Sequence, residues 1–533
     1  MKSISIRGLA GAAGLCGVLL LVEGCTDLDE QPVSVITPDN YYRTEEEVMG
    51  GLAAVYAGLR STLWGYYNLS EVTTDEMVVP TRGNDWYDGG RWLEMHRHTW
   101  SPISPAAEDI NGAWNDAFGA IARANALLEA LPRITLANKE VVEAELRALR
   151  AFYYYILMDM FGGVPIVVDT EIKPRERASR AEVFAFIEEE LKAAREVLPA
   201  TWPMDQQGRM TKGAADAILA SMYLNAEVFT GTVTEAGLQR GQPRWQDAIE
   251  AADRILNSGV YTLAPEWEAN FRADNHLSPE IILAVKHVAQ PGYGFSNHFF
   301  YRALHYNSGI GGGWNGFSTL AETYYAFDTA RVEVLPVPGT SRTAAILHSN
   351  DLRHRIFLAG QHYNVETGDP VQDRSGVPLF FTPEIRDITS ATEGEGVRIY
   401  KWPVDPNRAG QDHGNDFAYF RLAEIYLIKA EALNELGRTE EAIPLVNLVR
   451  ARAFEPDKPI PSGLSQVEVR ERIRRERLFE LTAEAKRRQD LIRWGLYTRA
   501  WSHKAESEPY RVLFPIPQTQ LDANPLLVQN PGY

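Results

Sequence analysis

Two irregular stretches of the chain, at residues 64–100 and 293–316, combine aromatic side chains with polar ones. The loss of helical periodicity, with Gly89-Gly90 and Gly311 to Gly313, predicts loops that carry their rings clear of the backbone. A neutral sugar has apolar C–H faces and a rim of hydroxyls, so its site needs flat rings beside hydrogen-bonding groups. We predict a glycan site built from Asp75, Arg82, Asn84, Asp85, Trp86, Tyr87 and Trp92 in the first stretch and Tyr293, Asn297, Trp314 and Asn315 in the second.

Catalytic motifs are weak by comparison. Gly311, Gly313 and Gly316 satisfy GxGxxG, but no strand, helix start and ribose-binding acid surround them as a dinucleotide site requires. His96 and His98 could approach a metal from one face of a strand, yet no third ligand follows at a helpful spacing. The sequence contains neither HExxH nor GxSxG. We therefore predict no catalytic residue, no metal and no cofactor.

Pairs of carboxylates leave glycoside hydrolysis as an alternative function. Glycoside cleavage needs an acid and a base or nucleophile across one bond, and sequence spacing does not reveal that distance. With 71 acidic residues, pairs such as Asp75/Glu76 and Asp85/Asp88 arise easily. The sequence favours binding over hydrolysis.

The densest charged block runs from Arg470 to Arg493. Glu480, Glu484 and Arg488 follow at four-residue steps, which would place them on one helix face where opposite charges pair. The alternation of sign favours a salt-bridged helix that holds neighbouring hairpins together over a site for a polyanion.

The amino terminus has the layout of an export signal. Lys2 and Arg7 precede the apolar run from Gly8 to Val22, and Gly24-Cys25 follows it. This order resembles a bacterial lipoprotein signal, which predicts removal of residues 1–24 and lipidation of Cys25. Because Cys16 lies in the removed part, a disulfide would be impossible in the mature chain. Residues 25–43 would form a tether and extended leader.

Composition limits the choice of partner. The chain has 533 residues, of which 45% are hydrophobic and 23% charged, as in ordinary globular proteins. Its formal charge of -18 argues against a nucleic-acid partner, because phosphate binding needs basic surface. Beyond the signal no stretch reaches 18 uninterrupted apolar residues, so we expect contact with a membrane only through the lipid anchor.

The sequence predicts that helices position the two aromatic stretches. Leu146, Leu149, Tyr153, Ile156 and Met160 form an apolar stripe at three- and four-residue spacing. We expect Asn138 to cap this helix and Gly162-Gly163 to end it. Further helices are predicted over 44–59, 107–131, 182–198, 212–229, 245–256 and 417–436. Residues 426–456 have the layout of a tetratricopeptide hairpin, and such hairpins must stack to cover their stripes.

The segment LRALRAFYYYILMDMFGGVP at 146–165 resembles the most recognisable part of the SusD/RagB family of outer-membrane nutrient-uptake lipoproteins. Arg421-Leu422-Ala423-Glu424 and the run QNPGY at 529–533 are similar to its carboxyl-terminal signatures. Residues 230–244 and 328–412 match poorly, and Ala485 stands where a glycine is more usual.

The resemblance implies a mostly α fold with tetratricopeptide-like hairpins, long irregular loops and a few short strands. It divides residues 44–533 into a helical-repeat part (44–290), a loop-rich middle (291–416) and a carboxyl-terminal hairpin block (417–533). It implies a non-catalytic, cell-surface protein that passes oligosaccharides to a SusC-like TonB-dependent transporter in the outer membrane. Peptide cargo, as in RagB-like members, and an envelope scaffold without a small ligand remain alternatives.

Overall fold

The computed structural model describes residues 42–294 and 299–533, and the structural statements below refer to these residues. The helices are α1 (Glu45–Ser61), α2 (Gly65–Glu71), α3 (Arg91–Arg97), α4 (Ala107–Ala130), α5 (Lys139–Phe161), α6 (Arg180–Val197), α7 (Lys212–Leu224), α8 (Ala226–Phe229), α9 (Trp245–Leu256), α10 (Phe299–Ala303), α11 (Ala321–Ala326), α12 (Leu422–Glu435), α13 (Thr439–Arg450), α14 (Gln466–Leu481), α15 (Arg487–Arg493) and α16 (Gln518–Ala523). The strands are β1 (Thr232–Thr234), β2 (Gly237–Gln239), β3 (Ile281–Val285), β4 (Ser318–Thr319), β5 (Arg331–Pro336), β6 (Thr343–His348), β7 (Phe357–Leu358), β8 (Gly360–Gln361), β9 (Phe380–Phe381), β10 (Val397–Ile399) and β11 (Phe417–Arg421).

The long helices stack in a continuous array. Helix α4 packs on α5, α5 on α6, α6 on α7, α7 on α9, α9 on α12, and α12 on α13 and α14. The predicted stripe on α5 is confirmed, because Leu146, Leu149, Tyr153, Ile156 and Met160 are all fully buried. These side chains belong to one large apolar core that the neighbouring helices share.

Local capping rules account for several of the helix ends. Thr44, Ser179 and Ser465 form capping boxes at the starts of α1, α6 and α14. Gly162 ends α5 with φ 75°, as expected. The prediction that Asn138 caps α5 is wrong, because its side chain makes no capping hydrogen bond there.

A strand pair joins the middle of the chain to the last hairpins. Residues 417–421 were predicted to be helical, and this is wrong because they form β11, which pairs antiparallel with β3. All five β11 side chains are buried, so the aromatic run FAYFR fits a strand covered on both faces rather than the start of a helix. Helix α12 begins only at Leu422.

Short strands bring the two predicted loops together. Strand β4 pairs with β10, which in turn pairs with β7. Val78 from the first loop forms a bridge with Ser318 at the start of β4. Because β4 directly follows the second aromatic stretch, this bridge holds the two stretches side by side.

The charged block is split between three elements. Glu480 lies in α14, Glu484 in the following turn and Arg488 in α15, so the expectation of one helix face is wrong. Ala483 and Ala485 take φ values of 65° and 60°, which turn the chain between the two helices. The structural role is supported, because Arg421 binds Glu280, Glu480 and Glu484, all buried.

The predicted signal peptide, lipidation site and tether lie at the amino terminus. Residues 1–24, Cys25 and the tether up to residue 41 lie outside the described residues. Among the helices that the structure describes, none combines the length and apolarity of a membrane span.

Candidate functional site

Trp86 and Trp314 lie together, and we call this pair the tryptophan platform. Trp86 Nε1 donates to the Trp314 carbonyl at 2.7 Å, and the ring centroids are 6.4 Å apart. Both side chains are half-buried. A Cβ on Gly316 would fall 2.4 Å from Trp86 Cε2, so only glycine lets the indole lie this close to the backbone.

Buried rings support the platform from below. Trp92 and Phe317 contact Trp86 at centroid distances of 5.3 and 5.6 Å, and both are buried. Trp92 Nε1 donates to Asp88 Oδ2 at 2.7 Å, which satisfies its polar atom. The prediction that Trp92 contacts ligand is wrong in this structure, because its ring is fully covered.

The backbone around the platform is strained. Trp86, Asp88 and Asn315 have φ values of 61°, 39° and 52°, in the left-handed region that favours glycine. Such conformations cost of order 1–3 kcal/mol each and persist only where the surroundings enforce them. Here the buried rings and the hydrogen bond between the tryptophans enforce them.

Four polar side chains form a rim beside the platform: Asp85, Tyr306, Arg374 and Glu393. Asp85 Oδ2 accepts from Tyr306 Oη at 2.7 Å and from Arg374 Nη2 at 2.8 Å. Arg374 also binds Glu393, and its guanidinium lies 4.3 Å from the centre of the Tyr306 ring. Half of the Arg374 side chain is exposed, so the rim faces solvent.

The rim carries two carboxylates at neutral pH. Burial raises the pKa of Asp85, but hydrogen bonds from Tyr306 and Arg374 outweigh it and hold the pKa below its usual range. Burial raises the pKa of Glu393 as well, but hydrogen bonds from Arg374 and His305 outweigh it, so this pKa also lies below its usual range. Burial lowers the pKa of His305, so its ring is neutral. Its Nδ1 accepts from the Asn307 amide at 3.1 Å, which leaves Nε2 to donate to Glu393 at 2.8 Å.

Two buried arginines fix the loops. Arg82 donates to Gly316 O at 3.1 Å, to Ser318 Oγ at 3.0 Å and to Glu395 O at 2.7 Å. Arg398 Nη2 donates to Asn315 Oδ1 at 2.7 Å. The predicted ligand contacts Arg82 and Asn315 are therefore wrong here, because both are buried and hold backbone rather than face solvent.

The remaining predicted residues fall in different places. Asn84 and Tyr87 are exposed next to Asp85 and Trp86. Tyr293 is 56% exposed but lines another groove, along α1. Asp75 is partly buried and its carboxylate pairs with Arg487 at 2.7 Å, so its contact with ligand stays a prediction. Asn297 lies outside the described residues.

The histidine pair is structural. His96 lies in α3 and His98 just after it, not on a strand, and both are buried. His96 Nε2 contacts Ser502 O at 3.0 Å and His98 Nε2 contacts Thr73 O at 2.8 Å. Within 42–294 and 299–533, no group of three or more His, Cys, Asp or Glu side chains could hold a metal ion.

Comparisons with known proteins agree along most of the chain. The model described as "SusD family" matches residues 279–509, and that described as "Starch-binding associating with outer membrane" matches 37–224. The chain belongs to the SusD family. SusD-like protein P25 of Formosa agariphila is 24% identical, over 95% of this chain and 96% of its own. The starch-binding protein SusD of Bacteroides thetaiotaomicron is 25% identical, over 100% of this chain and 91% of its own.

Solved structures of SusD-like proteins share the fold. One from Bacteroides fragilis has a TM-score of 0.71 and 23% identity, and covers 93% of this chain and 98% of its own. A laminarin-binding SusD-like protein has a TM-score of 0.70 and 24% identity, and covers 92% of this chain and 100% of its own. Surface glycan-binding protein A of Bacteroides thetaiotaomicron, in complex with laminarihexaose, has a TM-score of 0.69 and 20% identity. The match covers 91% of this chain and 99% of that protein's chain. The expected mostly α, SusD-like fold is confirmed.

Sequence reasoning missed three rim residues of this SusD-family chain: Tyr306, Arg374 and Glu393. Tyr306 lies inside the second aromatic stretch, so the criterion that selected Trp314 could have found it. Arg374 and Glu393 lie in 328–412, where no motif or periodicity singled them out. Only the folded chain brings them beside Asp85.

Proposed function

We propose that this SusD-family protein captures oligosaccharides without cleaving them. The observation that carries the proposal is the tryptophan platform, two half-buried indoles beside a rim of hydrogen-bonding groups. Indole faces suit the C–H faces of sugars, while Asp85, Arg374 and Tyr306 can exchange hydrogen bonds with hydroxyls. Two similar proteins, a starch-binding protein and a laminarin-binding one, support this class of ligand.

The protonation states argue against a hydrolase. A glycosidase needs one carboxyl that keeps its proton at working pH, beside a second that is ionised. At the rim, Arg374 binds both Asp85 and Glu393, and the pKa of each is lowered. Neither carboxyl is held as a general acid, so binding is the better account of this geometry.

The cellular setting follows from the family. Lipidation at Cys25 after removal of residues 1–24 would anchor the protein to the outer membrane, outward-facing, with 25–43 as a tether. A SusC-like TonB-dependent transporter would receive the glycan. The part built from 44–290 would then serve as scaffold, 291–416 would carry most of the site, and 417–533 would close the fold. The match to a family described as associating with the outer membrane supports this setting.

Isothermal titration of a chain starting at residue 26 against laminarihexaose, maltohexaose and a panel of plant, algal and microbial glycans tests the proposal. We expect saturable binding that falls at least tenfold, about 1.4 kcal/mol, in Trp86→Ala and Trp314→Ala. Trp202→Ala is the matched control, because Trp202 is a half-buried tryptophan that packs on Arg209 instead.

Different outcomes separate the alternatives. Release of shorter sugars by the purified protein would replace capture with hydrolysis. Binding of peptides but not of glycans, lost in the same two variants, would assign the platform to peptide cargo. If no glycan and no peptide binds, the scaffold without a small ligand becomes the better account.

A further inference from the structure

A groove of about 510 Å³ lies between the turn of hairpin β5–β6 and the loops around residues 373–380 and 386–394. Its lining includes the side chains of Val337, Leu379 and Phe380, all buried. Thr340, Ser341 and Thr392 supply exposed polar residues at its edges. A cavity of this size with a mixed apolar and polar lining fits a small ligand.

The groove adjoins the rim of the tryptophan platform. Glu393 belongs to the rim through Arg374, while its neighbours Thr392 and Gly394 line the groove. Asp373 lines the groove, while the next residue, Arg374, binds Asp85. The rim and the groove are therefore separated only by the chain at 373–374 and 392–394.

Two arginines give the groove its hydrogen-bonding character. Arg342 Nη1 lies 3.4 Å from Glu395 Oε1, and Arg386 binds the same oxygen. Glu395 is only 1% exposed, whereas Arg342 and Arg386 are 33% and 58% exposed. A guanidinium carries five N–H donors, so each keeps donors beyond its bond to Glu395.

We propose that this groove is a second saccharide subsite for the glycan that the platform binds. The inference rests on the proposed function and adds a preference for longer chains. The platform stacks one part of the glycan, and the forked donors of Arg342 and Arg386 bind adjacent hydroxyls of units further along. Glu395 holds the two guanidiniums in place from its buried position, which lowers the entropy lost on binding.

Titration with maltotriose, maltohexaose, laminaritriose and laminarihexaose tests the subsite. The wild type should bind the hexaose of at least one series about tenfold more tightly than the triose. Arg386→Ala should remove that advantage and leave the triose affinity unchanged, whereas Trp86→Ala should weaken both. Arg386→Lys, which keeps the charge but loses the fork, should resemble the alanine variant. Arg355→Ala, exposed and outside the groove lining, should behave as wild type.

The results separate the subsite from the platform. Equal affinity of the wild type for triose and hexaose, or a hexaose affinity unchanged in Arg386→Ala, would overturn the subsite while leaving capture at the platform intact. No binding of the four sugars to the wild type would overturn the subsite together with capture of these glycans. Circular dichroism melting of each variant checks that a lost affinity is not lost folding.

Discussion

Trp86 holds a left-handed backbone conformation while its indole nitrogen donates to the carbonyl of Trp314. A bulky residue stays in that region only when its surroundings determine its position. The ring is therefore fixed before a ligand arrives, by Trp92 and Phe317 below it and by Gly316 beside it. Preorganisation of this kind raises affinity, because less side-chain freedom is lost on binding.

Gly316→Ala should weaken glycan binding at least tenfold. The new Cβ would fall 2.4 Å from Trp86 Cε2, so the indole must leave its place on the platform. Titration calorimetry gives the affinity, and a crystal structure of the variant should show a displaced ring. Gly50→Ala is the control, because it lies in α1 with no atom within 4 Å of the added Cβ. Unchanged affinity in Gly316→Ala would remove Trp86 from the site.

Residue types singled out the two stretches that the structure brings together, but not which of their side chains face solvent. Trp86 and Trp92 lie six residues apart in the first stretch, Trp86 in a loop and Trp92 in α3, and only Trp86 remains half-exposed. Asn315 follows Trp314 directly, yet Arg398 holds it in the interior. Burial of this kind depends on partners more than 80 positions away, which local sequence does not reveal.

At the scale of elements, two buried acids join α2 and the segment after it to the carboxyl-terminal helices. Glu71 ends α2, Glu76 follows it, and both carboxyls are buried. Glu71 accepts from the Ala485 amide, and Glu76 accepts from the Ala483 amide at 3.2 Å. The turn between α14 and α15 therefore packs on an acid pair, and burial raises the pKa of both carboxyls.

The acid pair makes stability depend on pH. Burial raises the pKa of Glu76 to about 7, above the ordinary value of about 4.3 expected in the unfolded chain. Its contribution to folding is complete below about pH 4.3 and is lost as the pH rises through about 7. The free energy of unfolding of Glu76→Gln, minus that of wild type, should therefore increase from pH 5 to pH 8.

Guanidinium denaturation at both pH values measures that difference. Glu46→Gln, at an exposed position in α1, is the control and should leave the two stability curves parallel. A Glu76→Gln difference of equal size at pH 5 and pH 8 would contradict the raised pKa of Glu76.

Ala485→Gly should stabilise the same turn slightly. Ala485 has φ 60°, where an L-residue costs roughly 1–2 kcal/mol, and glycine returns about 0.5–1 kcal/mol of that in unfolded-chain entropy. We expect a net gain of about 0.5 kcal/mol in chemical denaturation. Ala430→Gly, within α12, should instead lose about 1 kcal/mol or more. Destabilisation at both positions would show that the Ala485 methyl outweighs the strain.

At the scale of the whole molecule, buried charges connect distant parts of the chain. Arg421 at the end of β11 binds Glu280 beside β3, and Glu480 and Glu484 around the end of α14. Arg353 joins Glu480 to Asp351 in the middle region. Residues 351–353 are thus attached to β3 and to α14 through one buried network.

Arg421→Met should destabilise the protein by about 3–5 kcal/mol, because three buried carboxylates lose their common partner. Arg331→Met is the matched control. Arg331 pairs with Glu333 at 3.2 Å with both side chains largely exposed, so its loss should cost less than about 1 kcal/mol. Denaturation midpoints give the comparison, and similar losses in the two variants would refute a buried network.

Periodicity was sufficient to predict most of the helical array, because an apolar stripe such as that of α5 identifies the buried face of a helix from local sequence alone. It failed at β11, where five consecutive buried residues carry no period. It also did not predict β7 to β10 within 328–412, because these strands of two or three residues pair with partners distant in the sequence. The hairpins were therefore predictable, while the loops that complete the rim were not.

The contacts made by residues near 530 set an order of events in folding. Trp100 Nε1 donates to Tyr533 Oη across 433 positions of sequence, and Asn530 Nδ2 donates to Phe161 O at the end of α5. Contacts this distant in sequence form slowly, because the closure of large loops must precede them. The bonds that residues 100 and 161 make to the end of the chain can therefore form only after residues around 530 have been synthesised. During that interval the growing chain is open to aggregation, so a protein that holds unfolded chains would raise its yield.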